Sequence, residues 1–115
     1  MLTKEDYKEL SKKIHREIGF CCKKHLINIV KTGYDTSEND WVFLLEKVSE
    51  GKKRKSAKAS LFFTPILCLS VFADPEDITT GFPLDEVLRR IPDIVATEIG
   101  RTNEALDIDL AKETH

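Results

Sequence analysis

Between Tyr7 and Ile29 the apolar residues Tyr7, Leu10, Ile14, Ile18, Cys21, His25 and Ile29 recur at steps of three and four. That spacing places them on a single stripe of an α-helix, and a stripe of this length has to dock on a core. Lys13, Glu17 and Lys24 fall on the opposite side. The pattern predicts a helix from Thr3 to Lys31, with Thr3 as N-cap and Glu5 and Asp6 close to the positive end of the helix dipole. Gly19 is its weak point, and Gly33 supplies its stop.

The residues that follow alternate between turn formers and apolar runs. Asp35 to Asp40 is polar. Trp41 to Val48 satisfies two periods at once. Trp41, Leu44, Leu45 and Val48 fit a helix, with Ser37 and Asp40 spaced as a capping box and Gly51 as terminator, whereas Trp41, Phe43 and Leu45 alternate as a strand does. Residues 52–58 carry five positive charges in seven positions and must be exposed. Ser60 to Ala73 is nearly all apolar and is divided at Thr64-Pro65, because proline interrupts both a helix and a central strand. Aromatic residues and short runs bounded by proline favour strands here. Asp74 to Asp77 reads as a turn or helix start, and Gly81-Phe82-Pro83 as a second break. From Leu84 through Val87, Leu88, Ile91, Val95 and Ile99 the spacing is helical through Pro92, as one kinked helix or two abutting ones. Leu106 to Leu110 alternates as a strand would. No repeat of solenoid period is present. The reading is an α+β fold with a long N-terminal helix, a small antiparallel sheet in about 41–73 and a helical C-terminal part around 84–103. An all-α bundle is the alternative.

At 115 residues, with 41% hydrophobic and 33% charged residues, the chain has the material for one domain, 1–115, with its own core. The three cysteines Cys21, Cys22 and Cys68 are odd in number and two are adjacent, which argues against a disulfide framework and for reduced thiols. The N-terminal residues are charged where an export signal is apolar. Leu61 to Ala73 is shorter than the roughly 20 residues a membrane-spanning helix needs. A cytoplasmic protein without a membrane partner is the expectation.

Charge is the most informative bulk property. Residues 1–58 hold 14 Lys and Arg against 9 Asp and Glu, and residues 59–115 hold 4 against 11. Either the halves neutralise one another within the fold, or the molecule keeps one basic and one acidic face suited to a charged partner or to pairing with its own copy. The acidic candidates for protein binding are Asp77, Asp85, Glu86 and Asp93. The basic candidates, read as a nucleic-acid contact, are Lys52, Lys53, Arg54, Lys55 and Lys58, supplemented by Lys12, Lys13, Arg16, Lys23 and Lys24. A calculated isoelectric point near 5.9 weighs against a dedicated nucleic-acid binder.

His15, Cys22 and His25, with Cys68 as a fourth, form a loose cluster without the paired ligand motifs of a structural zinc site, and His25 reads instead as a core residue. Cys22 near a histidine lacks the third group that would orient a base. There is no glycine-rich phosphate loop, HExxH or GxSxG. The expectation is therefore a non-enzymatic protein-binding module, regulatory or inhibitory, that uses charged faces and requires no cofactor or metal. The alternative is a nucleic-acid-binding accessory protein acting through the 52–58 loop. By size and composition alone, such chains have analogues among accessory proteins of bacteria and their phages.

Overall fold

The computed structural model describes residues 3–37, 40–49, 55–63 and 84–112. In chain order these form α1 (Lys4–Lys24), β1 (Asn28–Asp35), β2 (Asp40–Val48), β3 (Ser56–Phe63) and α2 (Leu84–Lys112). The three strands make one antiparallel sheet in the order β1-β2-β3. The expected α+β architecture is therefore the observed one, and the bundle alternative is discarded.

The start of α1 is as its residues predict. The Asp6 amide donates to Thr3 Oγ1 at 3.1 Å and the Thr3 amide donates to Asp6 Oδ2 at 3.0 Å, a reciprocal capping box. Its end departs from the prediction. The helix stops at Lys24, not Lys31, and Asn28–Asp35, which holds the predicted stop Gly33, is a strand. The stop is a Schellman motif. The Ile27 amide donates to the Cys22 carbonyl at 2.8 Å and the Leu26 amide to the Lys23 carbonyl at 3.3 Å, while Leu26 adopts a left-handed φ of 59°. Buried Ile27 lies near buried Cys22 across the turn. A glycine is the usual occupant of the left-handed position; here a leucine fills it, so the apolar spacing ran on unbroken through a point where the backbone reverses.

β1 and β2 form a hairpin closed at Asp35 opposite Asp40, with Asp35 Oδ1 accepting from the Ser37 amide at 3.0 Å and the Ser37 hydroxyl at 2.7 Å. This resolves the double reading of 41–48 as a strand, and Ser37 serves the turn instead of capping a helix. Trp41, Phe43 and Leu45 are buried on the inner face beside Ala57, Leu61 and Phe63 of β3. Val42 and Leu44 lie on the outer face with Phe62, which is why both sides of β2 read as apolar. The β2–β3 hairpin is closed by the Ser49 amide donating to the Lys55 carbonyl at 2.8 Å and the Lys55 amide to Ser49 Oγ at 3.2 Å. The expected loop 52–58 is shorter than predicted: Lys55 closes the hairpin, Ser56 to Lys58 already belong to β3 with Ala57 buried, and residues 50–54 lie outside the described part. So do 66–73, the third strand expected from sequence.

α2 is one continuous helix through Pro92. An interior proline removes an amide donor and costs about 3 kcal/mol. The same helix buries Val87, Ile91, Val95, Ile99, Leu106 and Leu110, and at roughly 1.5–3 kcal/mol for each such side chain the burial outweighs the interruption several-fold. Leu106 to Leu110, expected as a strand, is the last part of this helix. Leu106 and Leu110, four apart, are buried, whereas Ile108 between them is 56% exposed.

α1 packs mainly on α2, and both helices cover the inner face of the sheet. The His15 ring of α1 meets Phe43 at 4.9 Å between centroids. Lys47, at the end of β2, reaches α2 through Asp107 Oδ1 at 2.9 Å and Asn103 Oδ1 at 2.7 Å. The core is the set Leu10, Ile14, Ile18, Cys22, Ile27, Trp41, Phe43, Leu45, Ala57, Leu61, Phe63 and the buried row of α2. β1 lies beyond this cover: seven of its eight residues are exposed and the eighth is half-buried. Among the described residues no helix is long and apolar enough to cross a membrane.

Candidate binding surface

The buried row of α1, Leu10, Ile14, Ile18 and Cys22, advances in steps of four. A second row, Lys4, Lys8, Lys12, Arg16, Phe20 and Lys24, advances in the same steps and is displaced by two residues, about 200° around the axis, so it stays opposite the core along the entire helix. Every member is exposed, Phe20 at 63%. Successive members are about 6 Å apart along the axis. Among the described residues no ion pair engages any of these five cations. The row is a ridge of uncompensated positive charge with one aromatic ring in it.

α1 carries seven Lys and Arg against four acidic residues, and α2 carries seven acidic residues against four Lys and Arg. The two helices lie side by side, yet no ion pair joins them among the described residues. The salt bridges are within α1 (Lys13–Glu17), within α2 (Glu86 with Arg89 and Arg90, Glu98–Arg101), across the sheet (Lys58–Glu46) and from β2 to α2 (Lys47–Asp107). Opposite signs therefore meet at a cleft of about 720 Å³ between the helices, lined by Glu9, Lys12, Lys13, Arg16, Asp85, Leu88 and Arg89.

Of the acidic candidates, Asp85, Glu86 and Asp93 are exposed on the first turns of α2, and Asp77 lies outside the described residues. Asp85 lines the cleft beside the α1 cations, whereas Glu86 is held by Arg90 at 3.0 Å and Arg89 at 3.7 Å. The acidic residues of this helix are thus interleaved with arginine. Of the basic candidates, Lys52, Lys53 and Arg54 lie outside the described residues; Lys55 is half-buried at the neck of the hairpin, and Lys58 is exposed, 3.9 Å from Glu46. Lys12, Lys13 and Arg16 come together at the cleft, with Lys23 and Lys24 at the far end of α1. The outer ridge as a whole was not singled out from sequence. Its signal was present as a step-four series of cations two residues out of phase with the apolar stripe.

The thiol and imidazole groups take no part in this surface. His15 Nδ1–H donates to the Ser11 carbonyl at 2.7 Å, inside its own helix. His25 is the C-cap, half-buried, not a core residue in mid-stripe. Burial, with the neighbouring Cys21 second, pushes the Cys22 thiol up to about 11, and burial with Glu17 raises Cys21 despite Lys24. Both are protonated at neutral pH. Among the described residues no three His, Cys, Asp or Glu side chains converge as metal ligands; Cys68 lies outside them. No protein-family model matches the chain, and neither a curated protein nor a solved structure matches it.

Proposed function

We propose that the chain is a non-enzymatic binding module that docks on the acidic surface of a protein partner through the outer ridge of α1 and the adjoining cleft. The observation that carries this reading is the ridge itself: Lys4, Lys8, Lys12, Arg16 and Lys24 are aligned, exposed and unpaired among the described residues, while the acidic helix beside them is partly neutralised by its own arginines. Uncompensated charge on one face steers association and rejects like-charged surfaces. Glu9 and Asp85 in the cleft support a protein over a nucleic acid, because they offer partners to basic groups and repel a continuous phosphate chain. A regulatory or inhibitory role fits such a module.

Phe20 favours a second reading. An exposed ring within a basic row is the arrangement on which a single-stranded nucleic acid stacks a base. The triple variant K8E/K12E/R16E separates the two. As a protein-docking module, the wild-type chain retains its partner in pull-downs, the variant loses it, and oligonucleotides bind neither at physiological salt. As a nucleic-acid binder, a fluorescent single-stranded oligonucleotide binds the wild type with a log–log salt slope of about −3, on roughly 0.7 per phosphate contact and four contacts. Partner retention by the triple variant sinks the ridge assignment.

A further inference from the structure

We propose that the chain pairs with a second copy of itself through the exposed strip of α2 centred on Ile108, as two antiparallel helices related by a twofold axis. This surface is separate from the α1 ridge, so the pairing goes beyond the reading above and does not depend on it.

Leu106 and Leu110 are buried, and Ile108 lies two residues from each, about 200° around the helix axis. It therefore points away from the core, at 56% exposure. One exposed aliphatic residue is ordinary on a protein surface; the order of the residues around this one is what names an occupant. Ala105 and Ala111 stand three residues away on either side, and Glu104 and Lys112 four residues away on either side. All four are exposed, and all lie within about 60° of Ile108 on the same face. The strip thus has an apolar centre, small shoulders and opposite charges at its two ends.

Those charges differ from the others of α2. Glu86 is paired with Arg89 and Arg90, and Glu98 with Arg101, each at the three- or four-residue separation that lets side chains of one helix meet. Glu104 and Lys112 are two such separations apart and cannot satisfy each other. Among the described residues no ion pair engages either one. Lys112 borders a groove beside Asp109, but the two form no salt bridge.

An antiparallel pair with its twofold axis at Ile108 brings each residue level with the residue equally far from Ile108, in the other direction, on the second copy. Ile108 then packs on the second copy's Ile108. Glu104 comes level with the second copy's Lys112, and Lys112 with its Glu104, so symmetry makes each charged contact twice. Ala105 and Ala111 leave room for the stems of the long side chains that cross the seam. A parallel pair would set like charge against like charge at both ends, which the same residues oppose. Two strips of this length bury less than the roughly 1,200 Å² of a standard interface, so the pair is weak, with a Kd on the order of 0.1–1 mM. Each dimer carries two α1 ridges outside the seam, and a partner with two acidic sites is then held with avidity.

The test is sedimentation equilibrium of the full chain. The wild type is expected to be about half dimer or more by mass at about 1 mM. Ile108→Asp should weaken pairing about tenfold or more, since it buries two unpaired charges at the seam. E104K and K112E should each weaken it about tenfold, because every substitution acts twice. The double variant E104K/K112E should return to within about twofold of the wild type, and an equimolar mixture of the two single variants should form the heterodimer in which both ends are complementary. All these positions are exposed, so thermal melting by circular dichroism should be unchanged in each variant. A wild type that stays monomeric at that concentration, or a double variant as weak as the single ones, overturns the pairing. Dimer lost in K8E/K12E/R16E but kept in Ile108→Asp assigns self-association to the ridge and overturns it as well. A monomeric wild type whose pulled-down partner is lost with Ile108→Asp gives the strip to that partner instead. Partner loss in the triple variant together with a monomeric wild type leaves the ridge reading standing and removes this one alone.

Discussion

Substitution of Leu26 tests whether the helix stop is held by a strained residue. Leu26 sits at the left-handed position of the Schellman motif with φ 59° and 70% of its surface in solvent. The left-handed conformation costs an L-residue roughly 1–2 kcal/mol relative to glycine. Against this, glycine loses more backbone entropy on folding, about 0.5–1 kcal/mol. The buried third of the leucine is worth about 0.5–1 kcal/mol on the scale of a whole buried side chain. The balance for Leu26→Gly therefore runs from about 1 kcal/mol destabilising to about 1 kcal/mol stabilising, centred on no change. Leu26→Val faces the same backbone with a β-branched side chain, for which positive φ is a true outlier, and should lose about 1 kcal/mol or more. Urea unfolding of the three proteins should leave Gly within about 1 kcal/mol of Leu and place Val below Leu, with unchanged m-values. A thermal scan should spread the end members by several degrees at roughly 4 °C per kcal/mol. Valine as stable as leucine would mean that this residue is not held in the left-handed region, and the explanation of why the helix ends at Lys24 would fail with it.

Two further outcomes follow from the packing. Lys47 is the polar tie from the sheet to α2, part-buried and bound to Asp107 and Asn103; a double-mutant cycle with Lys47→Met and Asp107→Asn should give a coupling of about 0.5–1.5 kcal/mol, and a value near zero would mean that solvent screens the pair fully. Cys22 has its thiol raised from 9.0 to about 11 in the folded chain, so the unfolded state releases its proton first as pH rises; stability is intact below pH 9 and falls between about 9 and 11, by at most 2–3 kcal/mol. Cys22→Ala should flatten that alkaline slope relative to the wild type, and an identical slope in both proteins would refute the assignment.

Sequence reasoning reached the architecture where local chemistry and burial agree. Thr3 with Asp6 announces a helix start, and the helix begins there; the turn at 35–40 and the hairpin around the basic run are where polar residues must be. It failed where a residue type departs from the conformation it adopts. Leucine in the place of glycine hid the end of α1, and the residues beyond it happened to prolong the step of three and four until Ile29. At Leu106 to Leu110 two periods were again compatible, and only the helix partner distinguishes Leu106 and Leu110 from Ile108. The charge imbalance between the two parts of the chain was visible at once. Its arrangement was not, since a count gives no information on which cations lie opposite the buried row or that Glu86 is taken up by two arginines one turn away.

The mutual packing of α1 and α2 has a consequence for how the protein is made. The apolar row of α1 finds its principal cover on a helix that begins about sixty residues later in the chain. At roughly 5–20 residues per second of ribosomal synthesis, that row waits about 3–12 s before translation of its cover even begins. During that interval the nascent chain presents Leu10, Ile14, Ile18 and Cys22 uncovered, the kind of transient apolar surface that favours aggregation. Release of the finished N-terminal helix into the fold is then paced by the arrival of the last one.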